Sequence, residues 1–197
     1  AITLARGGSR GIIKKNIVPI NNKPLLSYTI DETLKSKYID NYIIATDDKD
    51  IEQVCVDNNV RCFKRKKVSN TQTSADGLIE VLKDINTYDY VVEIMCTNPL
   101  KKVEDIDGVK FIENDTLKGF DDRENPDIPN QRRQDLEPPA YVRNGSIYAM
   151  TWNQIITHGL RLGEVTRPYV MSEERTINID EPRDLMLAKF IIENENK

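Results

Sequence analysis

The chain has 197 residues, with 28 Lys+Arg against 32 Asp+Glu, a net charge of -4 and 39% hydrophobic residues. That length supports one domain with a real core, and the acidic balance argues against a general nucleic-acid binder, which is basic overall. No apolar run approaches the roughly 20 residues that span a bilayer, and no segment reads as a signal peptide.

Residues 1–5 (AITLA) read as a buried strand. From Pro24, "PLLSYTIDETLKS" carries Leu26, Ile30 and Leu34 at helical spacing, with proline at a first-turn position. "NYIIATDD" is a short β-rich run ending in acids, and "KDIEQVCVDNN" puts Ile51, Val54 and Cys55 on one helical face. "VRCF" is a short strand. "NTQTSADGLIEVLKDI" offers Thr and Ser caps before Leu78, Leu82 and Ile85. "YDYVVEIMCTNPL" is the strongest strand signal, stopped at Asn98-Pro99, and "EDIDGVKFIEN" is helical. Residues 114–140 are polar with four prolines, a loop or flap long enough to have a function of its own. "GSIYAM" reads as a strand, "TWNQIITHG" as a helix, "RPYVM" and "TINID" as short strands, and "EPRDLMLAKFIIENENK" as a closing helix.

Strands alternate with helices, and the first strands are apolar on both faces. The pattern predicts an α/β domain over 1–197, with a mostly parallel sheet covered by helices. Cys55, Cys62 and Cys96 match neither a disulfide framework nor a CxxC metal site. As buried reduced thiols they point to the cytoplasm. The single histidine, His158, falls at a helix end, where it suits the negative pole of the dipole better than catalysis.

Ligands of open α/β sheets sit beyond the carboxyl ends of the strands. The candidate segments are therefore Arg6–Asn16, Thr46–Asp48, Arg65–Thr73, Cys96–Leu100 and the acids near Asp180. In the first, "ARGGSRGIIKKN", the glycines at 7, 8 and 11 have the wrong spacing for a dinucleotide fingerprint, and the GxxxxGK[ST] loop is absent. A glycine-rich turn with Arg6, Arg10, Lys14 and Lys15 remains. Glycines let backbone N–H groups approach phosphate oxygens. A tight turn with a solvated basic face would read the same way.

"LARGGSRGIIKKNI" closely resembles the N-terminal signature of the acylneuraminate cytidylyltransferase (CMP-sialic acid synthetase) family, which reads L-A-R-G-G-S-K-G-I-x-x-K-N. "NNKPLLSYTI", "YIIATDDKDI", "NTQTSADGLIEVL", "TNPL", "RRQDLEPPAYVRNGSIYAM" and "INIDEPRDLMLA" resemble later family blocks in the same order. Only about residues 110–131 fall outside the match.

The resemblance implies a three-layer, Rossmann-like fold of the nucleotide-diphospho-sugar transferase type. It implies transfer of CMP from CTP to the anomeric hydroxyl of a 2-keto (nonulosonic) sugar acid, with release of pyrophosphate. Negative charge builds on phosphate oxygens in such a step, which calls for cations and N–H donors placed in advance. By resemblance, Ala5, Arg6, Gly7, Gly8, Ser9 and Lys15 surround the triphosphate, with Lys15 and Arg6 stabilising the reacting phosphate. Asn16 holds the nucleotide, Arg65 lies on the base-side wall, and Thr73 and Ser74 open a helix near the cytidine. Plain N-capping is the alternative for that last pair. Met95, Thr97, Arg133, Gln134, Arg143 and Asn144 fall on the sugar side, although "RNG" also reads as a turn into a strand. Asp180 and Asn178 stand where the family holds Mg²⁺ with a D-I-D pair; Asp180 could instead cap the closing helix. The resemblance also implies a homodimer, packed through the excursion around 114–140.

Three departures stand out. Asn178 replaces the first metal-site acid, Met95 replaces a glutamine that often contacts the sugar, and the middle region is short. They leave two competing readings open: another sugar nucleotidyltransferase of the same fold, and a non-catalytic nucleotide-binding relative.

Overall fold

The computed structural model describes residues 1–9, 11–69, 71–109, 144–163 and 166–194. The flap expected at 114–140, with Arg133, Gln134 and Arg143, lies outside the described residues, as does Arg10.

Five strands form the main sheet: β1 (Ile2–Leu4), β4 (Ile43–Thr46), β5 (Arg61–Lys64), β6 (Tyr90–Ile94) and β7 (Ile147–Thr151). Their order is β5-β4-β1-β6-β7. The first four are mutually parallel, and β7 closes the β6 edge antiparallel, Glu93 opposite Tyr148. Chain order runs from β1 outward to β5 and then returns to β6 on the other side of β1. The switch point is the crevice beyond the carboxyl ends of β1 and β6.

Alternate strand residues go to opposite faces. Ile2, Ile43, Ala45, Val91 and Met150 meet Leu78, Val81 and Leu82 of α3 (Ser74–Leu82) and Ile155 of α5 (Trp152–His158). Ala5 and Ile44 face Leu26 and Ile30 of α1 (Leu25–Leu34) and Ile51, Val54 and Cys55 of α2 (Lys49–Asp57). α4 (Val103–Gly108) follows β6. A third cluster joins Ala188 and Ile192 of α6 (Pro182–Asn194) to Ile20, Leu25, Leu100 and Ile179. Ile20 belongs to a small hairpin, β2 (Pro19–Ile20) with β3 (Lys23–Pro24), turned by Asn21 and Asn22 at φ 46° and 60°. Both left-handed turn residues suit asparagine.

The segments expected as strands at 167–171 and 176–180 are irregular. Ile177 and Ile179 alternate because they pack into the third cluster. One backbone bond, Ile179 N to Thr97 O at 2.8 Å, ties that stretch to the loop after β6, and a single bond makes no ladder. Among the described residues no helix is long and apolar enough to cross a membrane.

Candidate active site

The glycine-rich loop leaves β1 at Ala5, whose N–H donates to Ala45 O at 2.9 Å. Two acids after β4 hold it down. Gly7 N donates to Asp47 Oδ1 at 2.9 Å, and a Cβ on Gly7 would stand 2.4 Å from Asp48 Oδ2. Burial works against the Asp47 carboxylate, but the N–H groups of Val68 and Gly7 outweigh it and keep its pKa below the usual value. Asp48 caps α2 through the N–H groups of Asp50 and Ile51. Farther along, Lys14 at φ 50° pairs with Asp50. A Cβ on Gly8 would meet nothing within 4 Å, so the outer face of the loop is open. Arg6 and Ser9 are half-buried beside it.

Asn16 is buried, and its amide holds the loop: Nδ2 donates to Arg6 O at 2.9 Å, and Oδ1 accepts from Cys96 Sγ at 3.2 Å. Burial pushes the Cys96 thiol up to about 11, which makes it a wall residue and not a nucleophile.

Lys15 joins the loop to the stretch at 178–180. Its Nζ donates to Ile179 O at 2.8 Å and to Asp180 Oδ1 at 2.9 Å, with 14% of the lysine side chain exposed against 64% of the aspartate's. Asn178 Nδ2 donates to the other carboxylate oxygen of Asp180 at 2.6 Å. Gly11 permits this approach, because a Cβ there would lie 2.6 Å from Asp180 O. Asp180 does not cap α6. Asp184 accepts from the N–H groups of Asp180 and Glu181 at 3.0 and 2.8 Å, and those bonds lower its pKa.

On the α3 face, Arg65 is buried; its Nε donates to Glu80 Oε2 at 3.1 Å, and its Nη2 has no hydrogen-bond partner among the described residues. A Cβ on Gly77 would stand 2.9 Å from both Nη2 and Leu4 Cδ1, so this guanidinium lies at the end of β1. Thr73 caps α3 in a capping box with Asp76. Burial pushes the Glu93 carboxyl up, while Arg161, at 2.9 Å, and the hydroxyl of Ser74 pull it back.

Sequence reasoning did not single out Glu93, Arg161, Asp105, Arg175 or Lys101; an acid inside the apolar run "YVVEI" was the one available signal.

Of the residues expected on the sugar side, Met95 N donates to Ser146 O at 2.9 Å, and Thr97 O receives Ile179 N. Asn144 is engaged in the turn into β7: Oδ1 accepts from Ser146 N at 3.1 Å, Nδ2 donates to Met171 Sδ at 3.0 Å, and Gly145 has φ 68°. Residues 6–9, 11–16, 97 and 178–180 thus gather at the switch point, with Ser74 at the start of α3 and Arg65 packed against that helix.

No group of three His, Cys, Asp or Glu side chains that could hold a metal occurs among the described residues. Mg²⁺ takes one or two carboxylates plus phosphate oxygens and water. One exposed carboxylate beside an open, glycine-lined face fits a cation that arrives with a triphosphate.

A family model described as cytidylyltransferase matches residues 1–114. The N-acylneuraminate cytidylyltransferase of Streptococcus agalactiae serotype V is 26% identical over 98% of this chain, which spans 54% of that protein. The pseudaminic acid cytidylyltransferase of Campylobacter jejuni serotype O:2 is 27% identical over 95% of this chain and 93% of its own. Among solved structures, a 4-diphosphocytidyl-2C-methyl-D-erythritol synthase matches 97% of this chain and 98% of its own, with a TM-score of 0.57 at 14% identity. A CMP:2-keto-3-deoxy-manno-octonic acid synthetase complexed with CTP matches 55% of this chain and 44% of its own, with a TM-score of 0.51 at 20% identity. Both likenesses are of fold, and they bear out the mostly parallel, helix-flanked sheet.

Proposed function

We propose, from the premise that this chain belongs to the cytidylyltransferase family, that it transfers CMP from CTP to the anomeric hydroxyl of a nonulosonic acid. The acceptor class follows from two relatives, named for N-acylneuraminate and pseudaminic acid, that match nearly the whole chain. The observation that carries the chemistry is the meeting of Lys15, the open glycine loop and Asp180 at the switch point of the sheet.

The acceptor hydroxyl gives up its proton to solvent as its oxygen bonds to the α-phosphorus, the bond from that phosphorus to the β-phosphate bridge breaks, and pyrophosphate leaves. Loop N–H groups around Gly8 bind the triphosphate on the open face. Lys15 supplies positive charge where phosphate oxygens become more negative, and its bonds to Ile179 O and Asp180 fix its position beforehand. Asp180 would hold Mg²⁺ and Asn178 would orient its carboxylate; the ion, when bound, neutralises phosphate charge. Arg65 Nη2, buried without an acceptor among the described residues, is suited to the carbonyl of a cytosine. Asn16 supports the nucleotide indirectly, by fixing Arg6. Met95 and Thr97 line the acceptor side; Met95 brings no hydrogen-bonding amide, which suits an acceptor with an apolar substituent at that point. The three free cysteines fit a cytoplasmic enzyme.

The test is pyrophosphate release from CTP and Mg²⁺ with a panel of nonulosonic acids. The parent should release pyrophosphate with at least one acid, and Lys15→Ala should lower kcat by about 100- to 1,000-fold. A folded parent that binds CTP and turns over no acceptor would overturn the reading; Lys15→Ala at parental kcat would remove Lys15 from the mechanism.

A further inference from the structure

The segment that carries Asp180 has no ladder to hold it. Between Arg175 and Asp180 it lies across the loop after β6 as an arm, and its fastenings lie mostly outside the groups assigned above. Arg175 meets Asp105 with both prongs, Nε to Oδ2 and Nη2 to Oδ1, each at 2.8 Å. Asp105 is fully buried at the start of α4, where Oδ2 also accepts from Lys102 N at 2.9 Å. Tyr169 packs against Gly108 and brings its hydroxyl to 3.4 Å from Asp105 Oδ1. On the arm side, Asn98 Nδ2 donates to Arg175 O at 2.9 Å, while Asn98 Oδ1 accepts from the N–H groups of Leu100 and Lys101. Beyond these come Ile179 N on Thr97 O and Lys15 on Ile179 O.

We infer that Asp105 and Arg175 are positioning residues for the transfer reaction, a bidentate clamp that sets where Asp180 stands over the glycine loop. The inference rests on the reading of that site given above. Two features separate the clamp from ordinary stabilisation. An ion pair between a buried carboxylate and a guanidinium that is 30% exposed is weak as a stabiliser, because desolvation of the one and solvent screening of the other offset its attraction, but its planar fork fixes orientation strongly. And the pair joins the first turn of α4 to the start of the arm, where no strand pairing supplies a register.

Arg175→Lys keeps the charge and loses the fork. Asp105→Asn with Arg175→Gln removes both charges and leaves neither buried alone. Both proteins are to be assayed for kcat, for KM of CTP, for Mn²⁺ binding with CTP by electron paramagnetic resonance, and for thermal unfolding. Displacing a catalytic group by about 1 Å can cost about 100-fold. The expected result is kcat lowered by about 10- to 100-fold, KM for CTP within about threefold of the parent, and weaker Mn²⁺ binding. A merely structural pair would lower the unfolding midpoint and leave kcat and Mn²⁺ binding at parental values below it, and that outcome overturns the inference. A parent without pyrophosphate release would remove the function reading first, and this inference with it. An active parent with parental variants removes this inference alone.

Discussion

Gly11 sits where any side chain would press on the arm. A Cβ would lie 2.6 Å from Asp180 O, a backbone atom that cannot rotate away. Gly11→Ala should therefore move either the loop or the arm and lower kcat about 10- to 100-fold. Gly8→Ala meets open space and should fold like the parent; steady-state kinetics and unfolding curves for the two variants check both statements. If Gly11→Ala turns over at the parental rate, the approach of loop and arm does not matter to catalysis. At this scale the sequence was informative about location and less so about task. The signature from Ala5 to Asn16 is contiguous, so its residue types could be matched as a unit. What Asn16 bonds to depends on Cys96, 80 positions away. The roles of Thr73 and Asn144 were likewise open between ligand and turn residue, and both make local backbone bonds.

Strand β6 carries the main anomaly among the elements. Its residues alternate toward a helix-covered core, yet Glu93 is fully buried in it. Arg161, from the stretch after α5, reaches back to Glu93 and also lies 4.5 Å from the Tyr148 ring centre. Arg161→Met should cost about 2–3 kcal/mol, because it strands a buried carboxylate. Glu93→Met with Arg161→Met should recover most of that loss, since an apolar pair carries no desolvation penalty. Urea unfolding of the two singles and the double decides it; a double whose loss equals the sum of the two singles would show that the pair is not coupled. The acid was visible within an apolar run. Its partner was not, because 68 positions separate them. The helices were legible from their spacing and caps. The strand read at 176–180 was misread because Ile177 and Ile179 alternate to reach a core, a pattern that an anchored irregular segment shares with a strand.

For the whole molecule, alternation of strands and helices was enough to expect a parallel sheet. The antiparallel closure by β7 was not legible, since it depends on the path of the chain through residues that carry no strand period. The molecule also encloses a lysine. Lys101 is fully buried, its ammonium donating to Thr29 Oγ1 at 2.8 Å and to Asn98 O. Burial lowers its pKa to about 7, against the opposing charges of Cys96, Asp105 and Glu32. From about pH 7 toward its ordinary value the unfolded chain therefore holds more protons than the folded one, and stability rises with pH. Above about pH 9 the raised pKa values of the buried thiols act in the opposite sense. Urea midpoints should thus climb between about pH 7 and pH 8.5 in the parent, and Lys101→Met should flatten that climb; an unchanged slope would show that Lys101 stays charged when folded. The bond between Lys15 and Asp180 spans 165 positions. It is a contact of the longest range, and such contacts form late because the intervening chain must first be ordered. During synthesis, the glycine loop emerges long before its counter-charge. A nascent chain halted ahead of Asp180 would hold its lysine without the carboxylate that aims it, so competence for transfer is expected to come after the core has formed.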